Sequence, residues 1–216
     1  MIPWLSPHHL DFPDVESALE DPNGLLCAGG DLSVQRLSHA YSHGIFPWFS
    51  DGEPILWWSP NPRLVLTPDA FKFRRSLKKS IRARALSVTT NQCFDRVMAL
   101  CSETRQTEGT WIHQDMLEAY RALNAAGVGF SAETWQAGRL VGGLYGVKLG
   151  RVLFGESMVS CVPDASKAAL AHICQEADVH QIELIDCQVP TSHLISLGAT
   201  LIDRSEFMQR IRELTE

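Results

Sequence analysis

The most regular hydrophobic pattern lies in the middle of the chain, where three segments rich in aliphatic, aromatic and β-branched residues follow one another. They cover residues 130–135, 140–148 and 152–160 and are separated by the turn sequences Gln-Ala-Gly-Arg and Leu-Gly-Arg. Segments of this kind with glycine-containing turns between them are typical of paired neighbouring strands. The pattern predicts an antiparallel meander, with one more strand over residues 181–189.

Several helices are predicted before these strands, one of them within residues 1–62, which are rich in proline, glycine and tryptophan. The sequence predicts a helix over residues 32–43 that begins at Asp31 and ends at Gly44, and further helices over residues 91–102 and 113–126. The last of these ends at Gly127.

Two more helices are predicted after the meander. Asp164 or Ser166 caps a helix that runs to about residue 177, and a short helix begins at Arg204. Helices that precede and follow one main sheet indicate the α+β class.

Residues 71–84 form a further predicted helix with two contrasting faces. Phe73, Leu77 and Ile81 recur every four residues and form an apolar face. The segment carries seven basic side chains and no acidic one, and subtracting these seven charges from the net charge of −6 leaves −13 for the remainder. A solvated surface would explain the charges, but repulsion between them favours an anionic ligand such as phosphate. The basic side chains that align, here called the cationic face, are Arg75, Lys78, Lys79 and Arg82.

Residues 44–63, here called the tryptophan loop, contain three of the six tryptophans. Pro47, Pro54, Pro60 and Pro62 fix φ and remove backbone donors, so the sequence predicts a stiff, partly extended connection. Rings on such a loop could line an apolar ligand site or stack on nucleobases, and they could equally fill a seam between domains.

The length and composition indicate a globular protein that needs no covalent cross-links. The 216 residues suffice for a small N-terminal domain over residues 1–62 and a larger domain over residues 63–216. The six cysteines include no Cys-x-x-Cys pair and no zinc-ligand spacing with the histidines, so we expect reduced thiols and no metal. With no basic leader and no stretch that could span a bilayer, the sequence predicts a soluble cytoplasmic protein without membrane contact.

A carboxylate interrupts the predicted strand over residues 152–160. Alternation places Glu156 on one face with Phe154, Met158 and Ser160. A carboxylate among apolar neighbours needs a partner or a function.

Two polar residues end the predicted strand over residues 181–189. Alternation places Asp186 and Gln188 together, after the apolar residues Ile182 and Leu184 on that face. These polar groups could satisfy backbone ends or pair with an arginine, for which Arg63 and Arg139 are the candidates. Three polar groups on two strands of one sheet favour a functional site.

Common catalytic signatures are absent from the sequence. It contains no nucleophile elbow, no His-Glu-x-x-His and no P-loop, and Val-Gly-Gly-Leu-Tyr-Gly is too loose for a dinucleotide-binding fingerprint. Hydrolase and dehydrogenase functions are therefore disfavoured.

Several rare sequence blocks, in order over nearly the whole chain, resemble the leucyl/phenylalanyl-tRNA-protein transferase family. The blocks are Pro22-Asn23-Gly24-Leu25-Leu26, Gly29-Gly30-Asp31-Leu32, Gly44-Ile45-Phe46-Pro47-Trp48-Phe49, Trp57-Trp58-Ser59-Pro60 with Pro62-Arg63, Gly109-Thr110-Trp111-Ile112, Leu140-Val141-Gly142-Gly143-Leu144-Tyr145-Gly146-Val147, Gly155-Glu156-Ser157-Met158, Ala165-Ser166-Lys167, Asp186-Cys187-Gln188 and Ser196-Leu197-Gly198-Ala199.

The resemblance implies an enzyme that moves Leu or Phe, and less readily Met, from aminoacyl-tRNA to proteins with N-terminal Arg or Lys, which marks them for degradation as N-degrons. It implies a larger domain similar to the Gcn5-related N-acetyltransferases, no metal, no nucleotide cofactor and no other cofactor. We expect a monomer.

The resemblance also implies roles for individual residues. Trp48 and Trp111 would bracket the terminal adenosine and the pocket mouth, Glu156 would lie beside the pocket, and the cationic face would contact the tRNA acceptor stem. Trp57 and Trp58 fit the seam better. The side chains implied to form the pocket are Leu144, Leu153, Met158, Ser160, Ile173 and Ile185.

The transfer chemistry requires mainly positioning, because the aminoacyl ester is already activated and the attacking α-amine has an unperturbed pKa of about 7.7 to 8.0. The Gln188 carbonyl oxygen could accept a hydrogen bond from this amine, and Asp186 could polarise the amide or take the proton. These two residues are the predicted catalytic pair.

Some positions depart from the family pattern. Phe130 replaces a usual histidine, Val159 replaces a common aromatic residue, and Leu153 and Ile173 are smaller than the phenylalanines often found there. We therefore expect a pocket that is roomier or differently shaped, with an altered ratio of Leu to Phe transfer.

Two other functions stay open on sequence grounds. An acyl-CoA-dependent N-acetyltransferase would need a pyrophosphate-binding turn where this chain reads Cys161-Val-Pro-Asp-Ala-Ser-Lys. A non-catalytic RNA-binding module would use the cationic face and the tryptophans alone.

Overall fold

The computed structural model describes residues 2–104 and 111–215. Gly109 and Thr110, which begin one of the family-like blocks, lie outside the described residues.

A small four-stranded sheet lies in the N-terminal region. Its strand order is β1-β2-β4-β3, with β1 parallel to β2 and the other neighbours antiparallel. Helix α1 connects β2 to β3 and packs its apolar side into the core below. The elements are β1 (Trp4–Leu5), β2 (Leu25–Gly29), α1 (Val34–Ser42), β3 (Phe46–Pro47) and β4 (Leu56–Trp58).

A seven-stranded sheet in the order β11-β5-β10-β9-β8-β7-β6 organises the rest of the chain. The β7-β8-β9 meander is antiparallel, as predicted, whereas β9 and β10 run parallel. The strands are β5 (Arg63–Leu66), β6 (Ser87–Thr90), β7 (Gly129–Gln136), β8 (Arg139–Leu149), β9 (Val152–Ser160), β10 (Leu184–Gln188) and β11 (Thr200–Ile202).

Helices cover both faces of the larger sheet. Buried side chains of α1, α3, α4 and α8 belong to one apolar cluster, and those of α5 belong to a second cluster on the other face. This arrangement confirms the α+β class. The remaining helices are α2 (Arg75–Ala83), α3 (Phe94–Glu103), α4 (Gln114–Ala125), α5 (Ala165–Gln175), α6 (Ala177–His180), α7 (Ser192–Ser196) and α8 (Arg204–Thr215).

The helix caps differ from the predictions. Ser33 caps α1, because its Oγ accepts from the Arg36 amide, while the Asp31 carboxylate accepts from the Ser33 amide instead. Asp164 stands at the N-cap position of α5 but makes no side-chain cap; the Ser166 amide donates to Ser160 Oγ at 2.8 Å. α8 spans 12 residues and is not a short helix.

A β-bulge overturns the predicted alternation along β9. Tyr145 of β8 pairs with Ser157, whereas the next residue of β8 pairs with Gly155, so Glu156 is the extra residue. Phe154 therefore lies in the cluster beneath α3 and α4, while Met158 packs against the cluster beneath α5. The prediction that all four alternating residues share one face is wrong.

The start of β10 also differs from the prediction. Gln181 has φ 52°, which turns the chain, and the strand begins at Leu184. Ile182 precedes the strand and packs in the cluster beneath α5, whereas Leu184 packs in the other cluster. The two residues do not share a face.

Candidate functional site

A cleft opens where β9 and β10 separate. Their parallel pairing extends only to Phe154 and Asp186, and each strand then contains a bulge. Bulges bend strands and redirect side chains, so the strand ends diverge and leave a mostly apolar cavity of about 390 Å³. The cavity is lined by Phe46, Pro47, Trp48, Trp111, Leu144, Tyr145, Leu153, Gly155, Glu156, Ser157, Met158, Leu170, Ile185, Asp186, Cys187, Gln188, Val189, Thr191, His193 and Leu194.

Most side chains that the resemblance assigns to the pocket line this cavity, but two do not. Ser160 is exposed at the end of β9, where its Oγ accepts from the Ser166 amide and donates to the Ser166 hydroxyl. Ile173 is fully buried behind the wall, in one cluster with Leu153 and Leu170. The pocket assignments of Ser160 and Ile173 are therefore corrected.

The tryptophan loop contributes one exposed ring and two supporting rings. The Trp48 side chain lines the cavity and is 45% exposed. Trp58 Nε1 donates to the Trp48 carbonyl at 2.7 Å, and the two rings lie 5.6 Å apart. Trp57 is fully buried and donates to the Gly29 carbonyl. Trp57 thus fills the interior, whereas Trp58 fixes the position of Trp48.

Glu156 lies at the polar end of the cavity within a network of hydrogen bonds. The hydroxyls of Tyr41 and Tyr120 lie 2.7 Å from Glu156 Oε1 and Oε2 respectively, and Gln188 Nε2 donates to Oε1 at 2.9 Å. Tyr41 comes from α1 and Tyr120 from α4. The two helices therefore converge on the carboxyl group.

Burial raises the pKa of Glu156 to about 7. The nearby Asp186 carboxylate also raises this pKa, and the tyrosine and Gln188 hydrogen bonds lower it. Burial and the neighbouring carboxylate likewise raise the pKa values of both tyrosines. The carboxyl group consequently changes charge near neutral pH.

Asp186 forms a buried ion pair with Arg63. Arg63 Nε donates to Oδ1 at 2.8 Å and its NH2 group donates to Oδ2 at 2.6 Å, in bidentate geometry. Oδ1 also accepts from the Gln188 backbone amide at 2.9 Å. The carboxylate is therefore occupied by structural donors, as one of the sequence alternatives predicted.

Gln188 adopts an unusual backbone conformation at the cavity. Its φ is 61°, in the left-handed region that non-glycine residues rarely enter, at the bulge in β10. The Asp186 carboxylate holds its backbone amide and Glu156 holds its side-chain amide. Among the described residues no donor contacts Gln188 Oε1, so this oxygen is available to a ligand in the cavity.

Sequence reasoning missed several residues at the site. Tyr41 and Tyr120 lie on amphipathic helices, where a buried aromatic residue is normally part of the core. Their hydroxyls would have been a signal, because a buried Tyr O–H needs a partner. Thr191, the N-cap residue of α7, and His193 within α7 were also missed.

The cationic face lies on α2, away from the cavity lining. Leu77 is buried beneath it, and Phe73 and Ile81 are partly buried, as the predicted apolar face requires. Its four side chains are exposed, border one shallow depression and make no ion pair within the described part of the chain.

Within residues 2–104 and 111–215, no group of three or more His, Cys, Asp or Glu side chains could hold a metal ion. No helix among these residues combines the length and apolar character that a membrane span needs.

Two family models match the chain. The model described as leucyl/phenylalanyl-tRNA protein transferase covers residues 65–212, and the model of its N-terminal domain covers residues 30–61. The leucyl/phenylalanyl-tRNA–protein transferase of Nitrosospira multiformis is 55% identical over 99% of this chain and 92% of its own. The protein of the same name from Cellvibrio japonicus is 49% identical over 100% of this chain and 92% of its own.

Some solved structures align with part of the fold. An aminoglycoside acetyltransferase from an uncultured soil sample is 13% identical, with a TM-score of 0.42, over 54% of this chain and 86% of that chain. A GCN5-related N-acetyltransferase from Kribbella flavida is 11% identical, with a TM-score of 0.38, over 74% of this chain and 58% of that chain.

The two family models, together with relatives that match nearly the whole chain, show that the protein is an aminoacyltransferase. More particularly, the chain belongs to the leucyl/phenylalanyl-tRNA protein transferase family.

Proposed function

We propose that the protein transfers Leu or Phe, and less readily Met, from aminoacyl-tRNA to the N-terminal Arg or Lys of acceptor proteins. The observation that carries the proposal is the cavity of about 390 Å³, whose wall is mostly apolar and whose end holds the Gln188 amide. An apolar cavity of this kind disfavours charged aminoacyl side chains, while one methylene changes discrimination by only about 1 to 3 kcal/mol. Tolerance of Met follows.

The proposed chemistry is attack of the acceptor α-amine on the aminoacyl ester. Gln188 Oε1 accepts a hydrogen bond from the amine and orients it, which is a positioning contribution because an amide is barely basic. The new amide bond forms as the tRNA 3′-oxygen leaves and takes the amine proton. Asp186 holds the backbone of Gln188 in place, because its carboxylate binds the Gln188 backbone amide and is itself fixed by Arg63.

Two surfaces are proposed to hold the tRNA. The exposed Trp48 ring, together with Trp111, would stack on the terminal adenosine, because base stacking on an aromatic ring contributes about 1 to 3 kcal/mol. The cationic face would contact backbone phosphates of the acceptor stem. In this proposal the enzyme acts as a cytoplasmic monomer, its catalytic domain covers residues 63–216, and its products are marked for degradation.

The start of α5 argues against an acyl-CoA donor. Pyrophosphate binding at a helix N-terminus needs free backbone N–H groups. Here the Ala165 amide donates to the Val162 carbonyl and the Ser166 amide to Ser160 Oγ. An Asp164–Lys167 ion pair also lies at this end. A simple RNA-binding module, in turn, leaves the Glu156 network without a purpose.

The proposal is tested by incubating the protein with radiolabelled Leu-tRNA and a peptide that begins with Arg, beside the same peptide with an acetylated N-terminus. Labelled acetyl-CoA serves as a rival donor. We expect Leu on the free peptide only and no acetyl transfer. Tight tRNA binding without Leu transfer would support the RNA-binding module instead, and acetyl transfer would support the acyl-CoA enzyme.

A further inference from the structure

Three pairs of oxygen atoms around Glu156 lie within hydrogen-bond distance, but the two tyrosine hydroxyls supply only two hydrogens. The Tyr41 and Tyr120 oxygens each lie 2.7 Å from one Glu156 carboxyl oxygen, and they also lie 2.5 Å from each other. Three oxygen pairs at these distances require three hydrogens, because unprotonated oxygens so close repel one another. Two tyrosine hydroxyls provide two hydrogens. The third must belong to the carboxyl group.

A second buried carboxyl group on the same sheet shows the contrast. Glu133 is fully buried and accepts from the Thr89 and Ser131 hydroxyls and from the amides of Gln92 and Cys93. Every one of these contacts brings its own hydrogen. Glu133 therefore needs no proton of its own, unlike Glu156.

We propose that Glu156, Tyr41 and Tyr120 form a closed, uncharged ring of hydrogen bonds around one carboxyl proton, and that this ring is the positioning element for Gln188. The inference rests on the proposed transfer reaction, in which the Gln188 carbonyl oxygen orients the amine. Oε1 accepts from both Tyr41 and Gln188, so the proton belongs on Oε2, which donates to Tyr120; Tyr120 donates to Tyr41, and Tyr41 to Oε1.

The ring determines which end of the Gln188 amide faces the substrate. Oε1 of Glu156 accepts from Gln188 Nε2, which leaves the Gln188 carbonyl oxygen for the cavity. Asp186 cannot perform this task, because it contacts only the backbone amide of Gln188. In this proposal Glu156, rather than Asp186, holds the side-chain amide of Gln188.

The surroundings favour the protonated ring at and below neutral pH. Burial raises the pKa of Glu156 to about 7, and the Asp186 carboxylate acts in the same direction. Arg63 neutralises Asp186 through its bidentate pair. Tyr41 from α1 and Tyr120 from α4 belong to the ring itself, and the polar groups that face it are Tyr145 from β8 and Asp186 and Gln188 from β10.

The proton itself is observed by difference infrared spectroscopy of the wild-type protein against Glu156→Gln. We expect a protonated-carboxyl C=O band that the variant lacks and that disappears as pH rises through about 7. The same difference against Glu133→Gln should contain no such band. Absence of the Glu156 band at acidic pH, or an equal band from Glu133, overturns the proton count. This readout needs no activity, so its failure is distinct from failure of the transfer reaction.

The role of Glu156 in positioning Gln188 is tested with the variant Glu156→Gln. Its side-chain amide can reproduce the protonated acid by donating to Tyr120 and accepting from Tyr41 and Gln188. We expect Glu156→Gln to keep the transfer rate within about tenfold of wild type, a difference of 1.4 kcal/mol or less. Glu156→Ala should lose about 10²-fold in single-turnover rate with unchanged Leu-tRNA affinity, because Gln188 is no longer held.

Thermal unfolding of each variant verifies that it folds, and Tyr120→Phe provides an independent break in the ring with the same expected loss of rate. A Glu156→Gln protein that folds but is as slow as Glu156→Ala would show that the charged carboxylate is needed, and would overturn the inference.

Discussion

Arg63 is the residue on which several parts of the chain converge. Its guanidinium group pairs with Asp186, donates to the Gly44 carbonyl and lies between the rings of Phe46 and Phe207, with its centre 4.8 and 4.6 Å from their centroids. Both members of the ion pair are almost fully buried. Removal of one partner would leave the other charge buried without compensation.

Asp186→Asn should therefore act first on stability. We expect the free energy of unfolding to fall by about 3 to 5 kcal/mol, because the Arg63 charge stays buried. Urea unfolding measures the change, and Asp178→Asn on the surface of α6 is the control. A variant as stable as wild type but inactive would instead place Asp186 in the chemistry.

Because of Glu156, the free energy of unfolding should decrease as pH rises from about 4.5 to about 7. Its pKa is raised from 4.5 to about 7 by folding, so the folded protein holds a proton that the unfolded chain releases. This contribution is fully present below the unfolded pKa and is lost as pH rises towards the folded pKa. We expect the unfolding free energy of wild type, relative to Glu156→Gln, to decrease across that interval. A difference that is flat or rises with pH would contradict the raised pKa.

At this scale the sequence could predict which residues are polar but not which partners they find. Glu156, Asp186 and Gln188 are recognisable as polar positions in apolar strands. Asp186 binds Arg63, whereas Glu156 binds Tyr41 of α1 and Tyr120 of α4. These two helices lie far from Glu156 in the sequence. Only tertiary packing brings those helices to the strands.

Among the elements, long periodic segments were predictable, and of the short strands only β10 was. The meander and its flanking helices follow from their patterns within a few residues. β2, β5 and β6 have five residues or fewer, and runs this short do not show a period. The bulges in β9 and β10, which open the cavity, leave no mark in an alternating pattern.

If the cationic face on α2 contacts tRNA phosphates, the affinity for tRNA should depend on salt concentration through these side chains. The double variant Lys78→Ala, Lys79→Ala should weaken tRNA binding and reduce the slope of log affinity against log salt by roughly 1 to 2, since each lost phosphate contact removes about 0.7 to 0.9. Fluorescence anisotropy over a salt series measures the slope.

The control removes two arginines from α8, Arg210→Ala with Arg212→Ala, and should leave the slope unchanged. An equal effect of both double variants would indicate a general charge effect rather than a site on α2.

Leu153 and Ile173 were both predicted to line the pocket, but only Leu153 lines the cavity, and Ile173 is buried behind its wall. Leu153→Phe reduces the cavity and should lower Phe transfer relative to Leu transfer, because Leu153 lines the wall. Ile173→Phe adds volume behind the wall and should destabilise the protein by about 1 to 3 kcal/mol. Transfer from both charged tRNAs, together with thermal unfolding, measures the two effects. A Leu-to-Phe ratio unchanged in Leu153→Phe would move the aminoacyl side chain elsewhere.

For the whole molecule, the site depends on both sheets at once. All four strands of the smaller sheet precede residue 62 and all seven strands of the larger sheet follow it, yet one apolar cluster contains Tyr41 and Trp57 as well as Val65 and Phe154. Arg204 of α8 adds polar links, because it donates to the Ser59 carbonyl and to Glu16. Both regions thus contribute residues to the cavity lining and share one core.

The placement of the reaction at Gln188 is tested by the single-turnover rate of Leu transfer from Leu-tRNA to a peptide with N-terminal Arg, in wild type and Gln188→Ala. Gln175→Ala on the exposed side of α5 is the matched control. We expect Gln188→Ala to be slower by about 10²-fold with unchanged affinity for Leu-tRNA, because the amine is no longer oriented. A Gln188→Ala protein that transfers Leu at the wild-type rate would contradict the placement of the reaction in this cavity.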